Sequence, residues 1–349
     1  MKNFIYKLLY TIFPLWLVTI GWYFYYNVYL SQEMTGDLGR MAQVAFGQEY
    51  SNLVNVPSTE EIVYENTEDK DLVRQQKAVV LGVGDSFSRY GNTSYLNCLA
   101  ANGMTVLSYT SDADMIVLNP FQKAWELLNL GYADSVSVKV FLVESVEREL
   151  INRLSSMNIN TKVVTEAGPK SDAPASANPD TGGNEWSLIY PIDYIGKMIG
   201  LRSLRVKPAQ LSEPLFSHKN LAGSLYFWQG DVETEMSIDT TVVSHRRAID
   251  NLRRLFALAQ EKGVRLMVVV PPDKYDLYQS FIVDNPFPPK TINEDLRRLF
   301  PNEENLVLCK EFLLPYVQHG EKDIYMLNDT HWSPRTAKIV ADELYKMLL

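Results

Sequence analysis

The stretch AVVLGVGDSFSRYGN, Ala78 to Asn92, decides how the chain is read. Ala78, Val79, Val80, Leu81 and Val83 form an apolar run that ends abruptly on Gly84-Asp85-Ser86-Phe87. A continuous apolar run of this length suits a strand buried on both faces. The polar break then marks either an ordinary turn or a nucleophilic serine at the carboxyl edge of a parallel sheet.

Outward from this stretch the pattern alternates. Asn92 to Asn102 has helical spacing of apolar residues, with Gly103 as a stop. MTVLSY (104–109) is a second short strand and Phe121 to Leu130 a helix. SVKVFLVE, Ser137 to Glu144, is a third strand, followed by a helix from Ser145 to Met157. Beyond the middle of the chain, VVSHRRAIDNLRRLFALAQEKG (242–263) is a long amphipathic helix. VRLMVVVPP, Val264 to Pro272, is a buried strand, NLVLC (305–309) a weaker one, and a last helix starts at Ser333. Strands alternating with helices predict an α/β fold whose parallel central sheet is covered on both faces. Functional loops of such sheets lie at the carboxyl ends of the strands. Ser86 and the PPDKY turn (271–275) both fall there.

A serine hydroxyl needs an adjacent base, and the base an orienting carboxylate. The chain has 4 histidines. His218, His245 and His319 sit in polar or charged surroundings, where solvated roles are expected. His331 stands apart in LNDTHWSPRTAKIVADEL (327–344), two residues after Asp329 and just before the last helix, which Ser333-Pro334 would cap. Ser86, His331 and Asp329 are therefore the candidate nucleophile, base and orienter. Asp329-Thr330 as a helix cap is the competing role.

These blocks resemble the SGNH/GDSL hydrolase superfamily, with its Gly-Asp-Ser block near the start and its Asp and His near the end. The Asp329-Thr330-His331-Trp332 block is more similar to the SGNH-like domains of alginate O-acetylation proteins and the related family named for a D-H-H-W motif. LVESVEREL (142–150), VPPDKYDLYQSFI (270–282) and PLFSHKNLAGSLYFWQGD (214–231) are similar to further stretches of that branch. Here the serine block comes first, whereas alginate proteins of this type carry the Asp-x-His block first. The resemblance implies an SGNH-like three-layer sandwich over residues 77–349 and an acetyl-serine intermediate. It also implies an exported polysaccharide or acylated sugar as substrate, and a membrane acyl-donor protein as partner. O-acetyl transfer and acetyl ester hydrolysis use the same triad. A non-catalytic polysaccharide-binding or assembly protein, and a lipase or thioesterase, are the alternatives.

Substrate-binding candidates are Asp85 and Trp332 beside the triad, Asn119 as a side-chain oxyanion donor, Arg148 as an anion contact, and Lys274 and Tyr275 lining a groove. Four of these have an ordinary alternative: Asn119 as a turn residue before Pro120, Arg148 pairing with Glu144, and Lys274 and Tyr275 in a solvated turn. No cofactor or metal is expected, for there is no GxGxxG, no phosphate loop and no metal-ligand spacing of His, Cys or Asp. A net charge of −9 gives no reason to expect nucleic acid. Cys98 and Cys309 fit either two core thiols or one disulfide.

Leu8 to Leu30 carries no charge, follows Lys2 and Lys7, and precedes Glu33 and Asp37. Length and charge bias predict a single transmembrane signal anchor over residues 1–31, with the rest of the chain outside the cytoplasm. Residues 32–76 read as a stalk or loose extension. Residues 166–235 read as an insertion, and Glu166 to Trp186 is rich in Pro, Gly, Ala, Ser and Asp as an exposed loop would be.

Overall fold

The computed structural model describes residues 2–30, 33–42, 44–47, 63–65, 80–88, 94–109, 119–131, 138–159, 195–196, 198–200 and 205–349. Its centre is a parallel sheet of β1 (Val63–Glu65), β2 (Val80–Val83), β3 (Val106–Tyr109), β4 (Val140–Glu144), β7 (Arg265–Val270) and β8 (Leu306–Leu308), in the order β1-β3-β2-β4-β7-β8. Between β4 and β7 the chain makes a separate antiparallel hairpin, β5 (Val206–Gln210) and β6 (Ser224–Trp228).

The apolar runs form strands buried on both faces because alternate side chains point to opposite sides. Val80, Leu142, Met267 and Val269 enter one core with the helices Tyr95–Ala101, Cys309–Gln318 and Pro334–Leu348. Leu81, Val83, Phe141, Val143, Leu266 and Val268 enter the other, beneath the helices Pro120–Asn129, Glu147–Ser155, Val243–Glu261 and Ile292–Leu299. Helices on both faces of a parallel sheet give the three-layer α/β arrangement expected of an SGNH-like fold.

The strand order sets the site. From β2 the chain adds β3 on one side, then crosses to place β4 on the other. The connections after β2 and β3 thus diverge, and the crevice opened at the carboxyl edge of such a switch is where open α/β sheets bind ligands. The chain leaves β2 at that edge through Gly84-Asp85-Ser86.

Two expectations change. Residues 33–47, read as a stalk, include a short helix, Gly36–Ala42, with Met34, Leu38 and Phe46 buried. Residues 206–228, read as insertion, contribute Leu225 and Phe227 to the first core; the segment 166–194 lies outside the described residues. The helix Lys2–Tyr25 is continuous over 24 residues. Among the described residues, however, no helix is long and apolar enough to cross a membrane. Cys98 and Cys309 are free thiols.

Leu142 is fully buried at the centre of the sheet. Leu142→Ala should cost about 2–5 kcal/mol in denaturant unfolding. Val243→Ala, on an exposed helix position, should stay within about 0.5 kcal/mol. Equal effects at the two positions would contradict this placement of the core.

Candidate active site

The serine turn is built by carboxylates. After β2, Asp85 accepts the Phe87 backbone N–H at 3.2 Å through Oδ1, and Ser88 N–H donates to the Asp85 carbonyl at 3.1 Å. These bonds wind Ser86–Ser88 into one 3-10 turn. Asp85 Oδ2 accepts from Val146 N at 3.2 Å and from the Arg153 guanidinium at 2.6 Å, so the turn is tied to the segment following β4. Burial pushes the Asp85 carboxyl up, but Arg153 more than offsets this and holds it below the usual carboxylate range.

Glu144, the last residue of β4, lies fully buried under the turn. Its Oε2 accepts the Asp85 N–H and the Ser88 hydroxyl, both at 2.9 Å. Burial, with Asp85 nearby, pushes the Glu144 carboxyl well above its usual range. Gly84 is required here, because a Cβ would fall 2.0 Å from Ser88 Oγ and 2.6 Å from Glu144 Oε2.

The second half of the site is the loop 326–331 before the last helix. Ser333 caps that helix, accepting Thr336 N–H, and Pro334 follows at its first turn. Asp329 is thereby released from capping. Its Oδ1 accepts from His331 Nδ1 at 2.6 Å and from the His331 backbone N–H at 3.1 Å. With Nδ1–H given to the carboxylate, Nε2 is left to accept the Ser86 hydroxyl, 2.7 Å away. Phe87 packs on the imidazole with ring centroids 4.9 Å apart, and on Trp332 at 4.8 Å. Burial lowers the pKa of His331, but Asp329 outweighs it and the net shift is upward from 6.5. Burial raises that of Asp329, yet His331 and its hydrogen bonds bring it to about 2.

Lys274 holds the loop from beneath. Nζ, almost fully buried, donates to the carbonyls of Met326, Leu327 and Asp329 at 2.6, 3.0 and 3.0 Å. Burial drives its pKa down to about 7, partly offset by Asp37 and Asp329. Three carbonyl acceptors match the three protons of an ammonium, which favours the charged form.

Residues 230–349 match the family model described as an SGNH hydrolase-like domain, acetyltransferase AlgX. The match takes in Lys274, Asp329 and His331 and stops short of Ser86, which reaches the site through the sheet. No curated protein and no solved structure matches the chain. The AlgX-type match agrees with the resemblance drawn from the Asp-Thr-His-Trp block, and the parallel α/β architecture agrees with an SGNH-like domain.

The structure brings Ser86, His331 and Asp329 together and gives the remaining candidates other work. Asp85 is a buried brace of the turn. Asn119 caps the helix Pro120–Asn129, and its amide donates to the Arg153 carbonyl and Ser156 Oγ. Arg148 pairs with Asp273 at 2.9 Å and Asp231 at 3.5 Å, not with Glu144, and lies over the Trp228 ring. Tyr275 is buried, its hydroxyl donating to the Pro288 carbonyl at 2.9 Å. Trp332 is fully buried core. His245, expected to be solvated, is buried, with Asp239 N–H donating to its Nδ1. Residues 89–93 and 110–118, which follow the serine turn and β3, lie outside the described residues.

Sequence reasoning missed Glu144, Arg153 and Asp37. The Glu at the end of a wholly apolar strand was the available signal for the first, since a carboxyl in that position must be buried. Asp37, Asp329 and His331 also form a group of three ligand-type side chains whose donor atoms lie within 4.8 Å. Those atoms already serve hydrogen bonds: Asp329 to His331 and the Asp37 N–H, Asp37 to Thr330, His331 to Ser86.

Lys274→Met should destabilise the fold by about 1–3 kcal/mol for each carbonyl left without a donor. It should also slow any reaction that depends on His331. Wild-type stability and wild-type rate together would show that the loop is held by other means.

Proposed function

We propose that this chain is an SGNH-type acyltransferase or acetylesterase acting on an acetylated polysaccharide through an acetyl-serine. The observation that carries the reading is the continuous chain Asp329–His331–Ser86, with links of 2.6 and 2.7 Å, between residues 245 apart in sequence. No local rule forces such distant residues into register, and the constellation is that of an activated serine.

In the forward half-reaction Ser86 Oγ attacks the acetyl carbonyl and its proton passes to His331 Nε2. Asp329 steadies the imidazolium through Nδ1–H. The tetrahedral adduct collapses, the ester C–O bond breaks, and the leaving alkoxide takes the proton back from Nε2. A sugar hydroxyl or water then gives a proton to His331 Nε2 as its oxygen attacks the acetyl-serine, the acyl C–O bond to Ser86 breaks, and His331 returns the proton to the Ser86 oxygen. Transfer and hydrolysis differ only in this second nucleophile. The AlgX-type match supports a polysaccharide as the partner in the exchange; a membrane acyl-donor protein as the source of acetyl groups is what the sequence resemblance implies.

The same proposal attaches the chain to a membrane through the helix Lys2–Tyr25 and keeps the domain outside the cytoplasm. Exposed Ile12, Leu15, Leu17 and Val18 support attachment, and Lys2 and Lys7 support the orientation.

Incubation with a chromogenic acetyl ester, with and without an oligosaccharide acceptor, tests the reading. Ester cleavage should need Ser86, and His331→Ala should cost about 10²- to 10⁴-fold. Acetyl groups moving to the acceptor identify a transferase, and release as acetate an esterase. His331 must be neutral to act as base, so kcat/KM should fall as the pH drops through a value above the ordinary 6.5. Asp329→Asn should move that limb down. Cleavage that survives Ser86→Ala would overturn the proposal.

A further inference from the structure

The segment that follows the N-terminal helix reaches the triad. Asp37 Oδ1 accepts the Thr330 backbone N–H at 2.9 Å, and Oδ2 accepts the Thr330 hydroxyl at 2.5 Å. Thr330 is the residue between Asp329 and His331. The Asp37 N–H donates back to Asp329 Oδ2 at 3.3 Å, the oxygen that His331 does not use. Gly39 N–H donates to the Asn328 carbonyl at 3.1 Å, and Asn328 Nδ2 donates to Thr35 Oγ1 at 2.8 Å.

The contact is close and has its own anchor. Gly36 takes a φ of +73°, and a Cβ there would lie 2.1 Å from the Asn328 carbonyl oxygen. Downstream, Phe46 is buried against Tyr226, and its carbonyl meets His218 Nε2 at 3.1 Å. Residues 33–46 are thus held at both ends, with Asp37 in the middle. Both oxygens of Asp329 are fixed from different directions, Oδ1 by the imidazole and Oδ2 by the Asp37 backbone.

We infer that Asp37 is a positioning residue of the site: through Thr330 and Asp329 it fixes the orientation of His331 toward Ser86, so that the segment next to the N-terminal helix controls whether the triad is assembled. The inference rests on the acyl-transfer reading for its rate effect and on geometry alone for its effect on His331. Lys274 holds the same loop through the carbonyls of Met326, Leu327 and Asp329, so a loop released by Asp37 stays attached there. The charges facing His331 are Asp329 in its own loop, Asp37 from the N-terminal segment and Arg148 from the helix after β4. Removing Asp37 takes away one of the two negative groups that favour the imidazolium.

The test uses the full chain and three variants, Asp37→Ala, Asp37→Asn and Gly36→Ala, with labelling measured above pH 7 and the His331 titration run from below pH 6 upward. Above pH 7 Asp37, pushed up to about 6 by burial with Asp329 adding to it, is ionised. Two quantities are read: the rate at which a fluorophosphonate labels Ser86, and the titration of His331 followed by the NMR shifts of its ring protons, assigned with His331→Ala. Asp37→Ala should slow labelling about 10²-fold, the scale set by a displacement of about 1 Å at a reacting pair. Asp37→Asn keeps acceptor capacity for Thr330 and should recover part of the rate, while both variants lower the pKa of His331. Gly36→Ala keeps the carboxylate but forces the segment off Asn328, and should slow labelling as well.

Wild-type labelling and wild-type His331 titration in Asp37→Ala and Asp37→Asn would overturn the inference. Should Asp37→Ala fail to fold, the near-isosteric Asn variant decides. Should the unaltered chain resist labelling at Ser86, the acyl-transfer reading fails, and the His331 titration still decides the role of Asp37.

Discussion

The hydrogen bond from Ser86 to His331 Nε2 is the constraint on which the rest of the molecule depends. It joins the turn after β2 to the loop before the last helix. Meeting at 2.7 Å requires β2 to lie inside the sheet, flanked by β3 and β4, and the last helix to pack beside the helix Tyr95–Ala101 that follows the serine turn. Both conditions follow from ordinary patterning: apolar strands buried on both faces, and a final helix with Ala337, Val340, Ala341 and Leu344 turned to the core. The crossover on either side of β2 then opens the crevice in which the pair meets.

Burial supplies the skeleton, and buried polar groups supply the precision. Asp85 with Arg153, Glu144 with Ser88, and Lys274 with three carbonyls each fix one backbone segment in one orientation. A second buried network, Arg148 and Lys290 on Asp273, lies under the start of the segment that carries Lys274. Buried charges add little net stability, because desolvation consumes much of the attraction. They do penalise every arrangement in which a partner is lost. A site that must hold three side chains within a few tenths of an ångström gains from that penalty.

The local part of this site was legible in the sequence. A strand that ends on Gly-Asp-Ser, and an Asp-x-His placed just ahead of a Ser-Pro helix start, are patterns of neighbouring residues with a physical reason for each position. Partners were not legible. Asp85, Asn119, Arg148, Lys274, Tyr275 and Trp332 have the right chemistry to meet a substrate, but their side chains are spent on bonds and packing inside the fold, for Asp85, Arg148 and Lys274 with residues more than fifty positions away, which no spacing rule reveals. Asp37 was hidden for the same reason, in a polar stretch with no periodicity and nearly three hundred residues from Thr330. The N-terminal helix was legible as well: the uncharged run from Leu8 predicts one continuous helix, and Lys2–Tyr25 forms it.

The central claim is that Ser86 carries the acyl group, and the most direct measurement is mass spectrometry of the chain quenched in acid during turnover of an acetyl ester. The account predicts an acetyl group on the peptide that contains Ser86, absent in Ser86→Ala and persisting longer when no acceptor sugar is present. Turnover with no acetylated Ser86 peptide at any quench time, or acetylation that appears on another residue and survives Ser86→Ala, would contradict it.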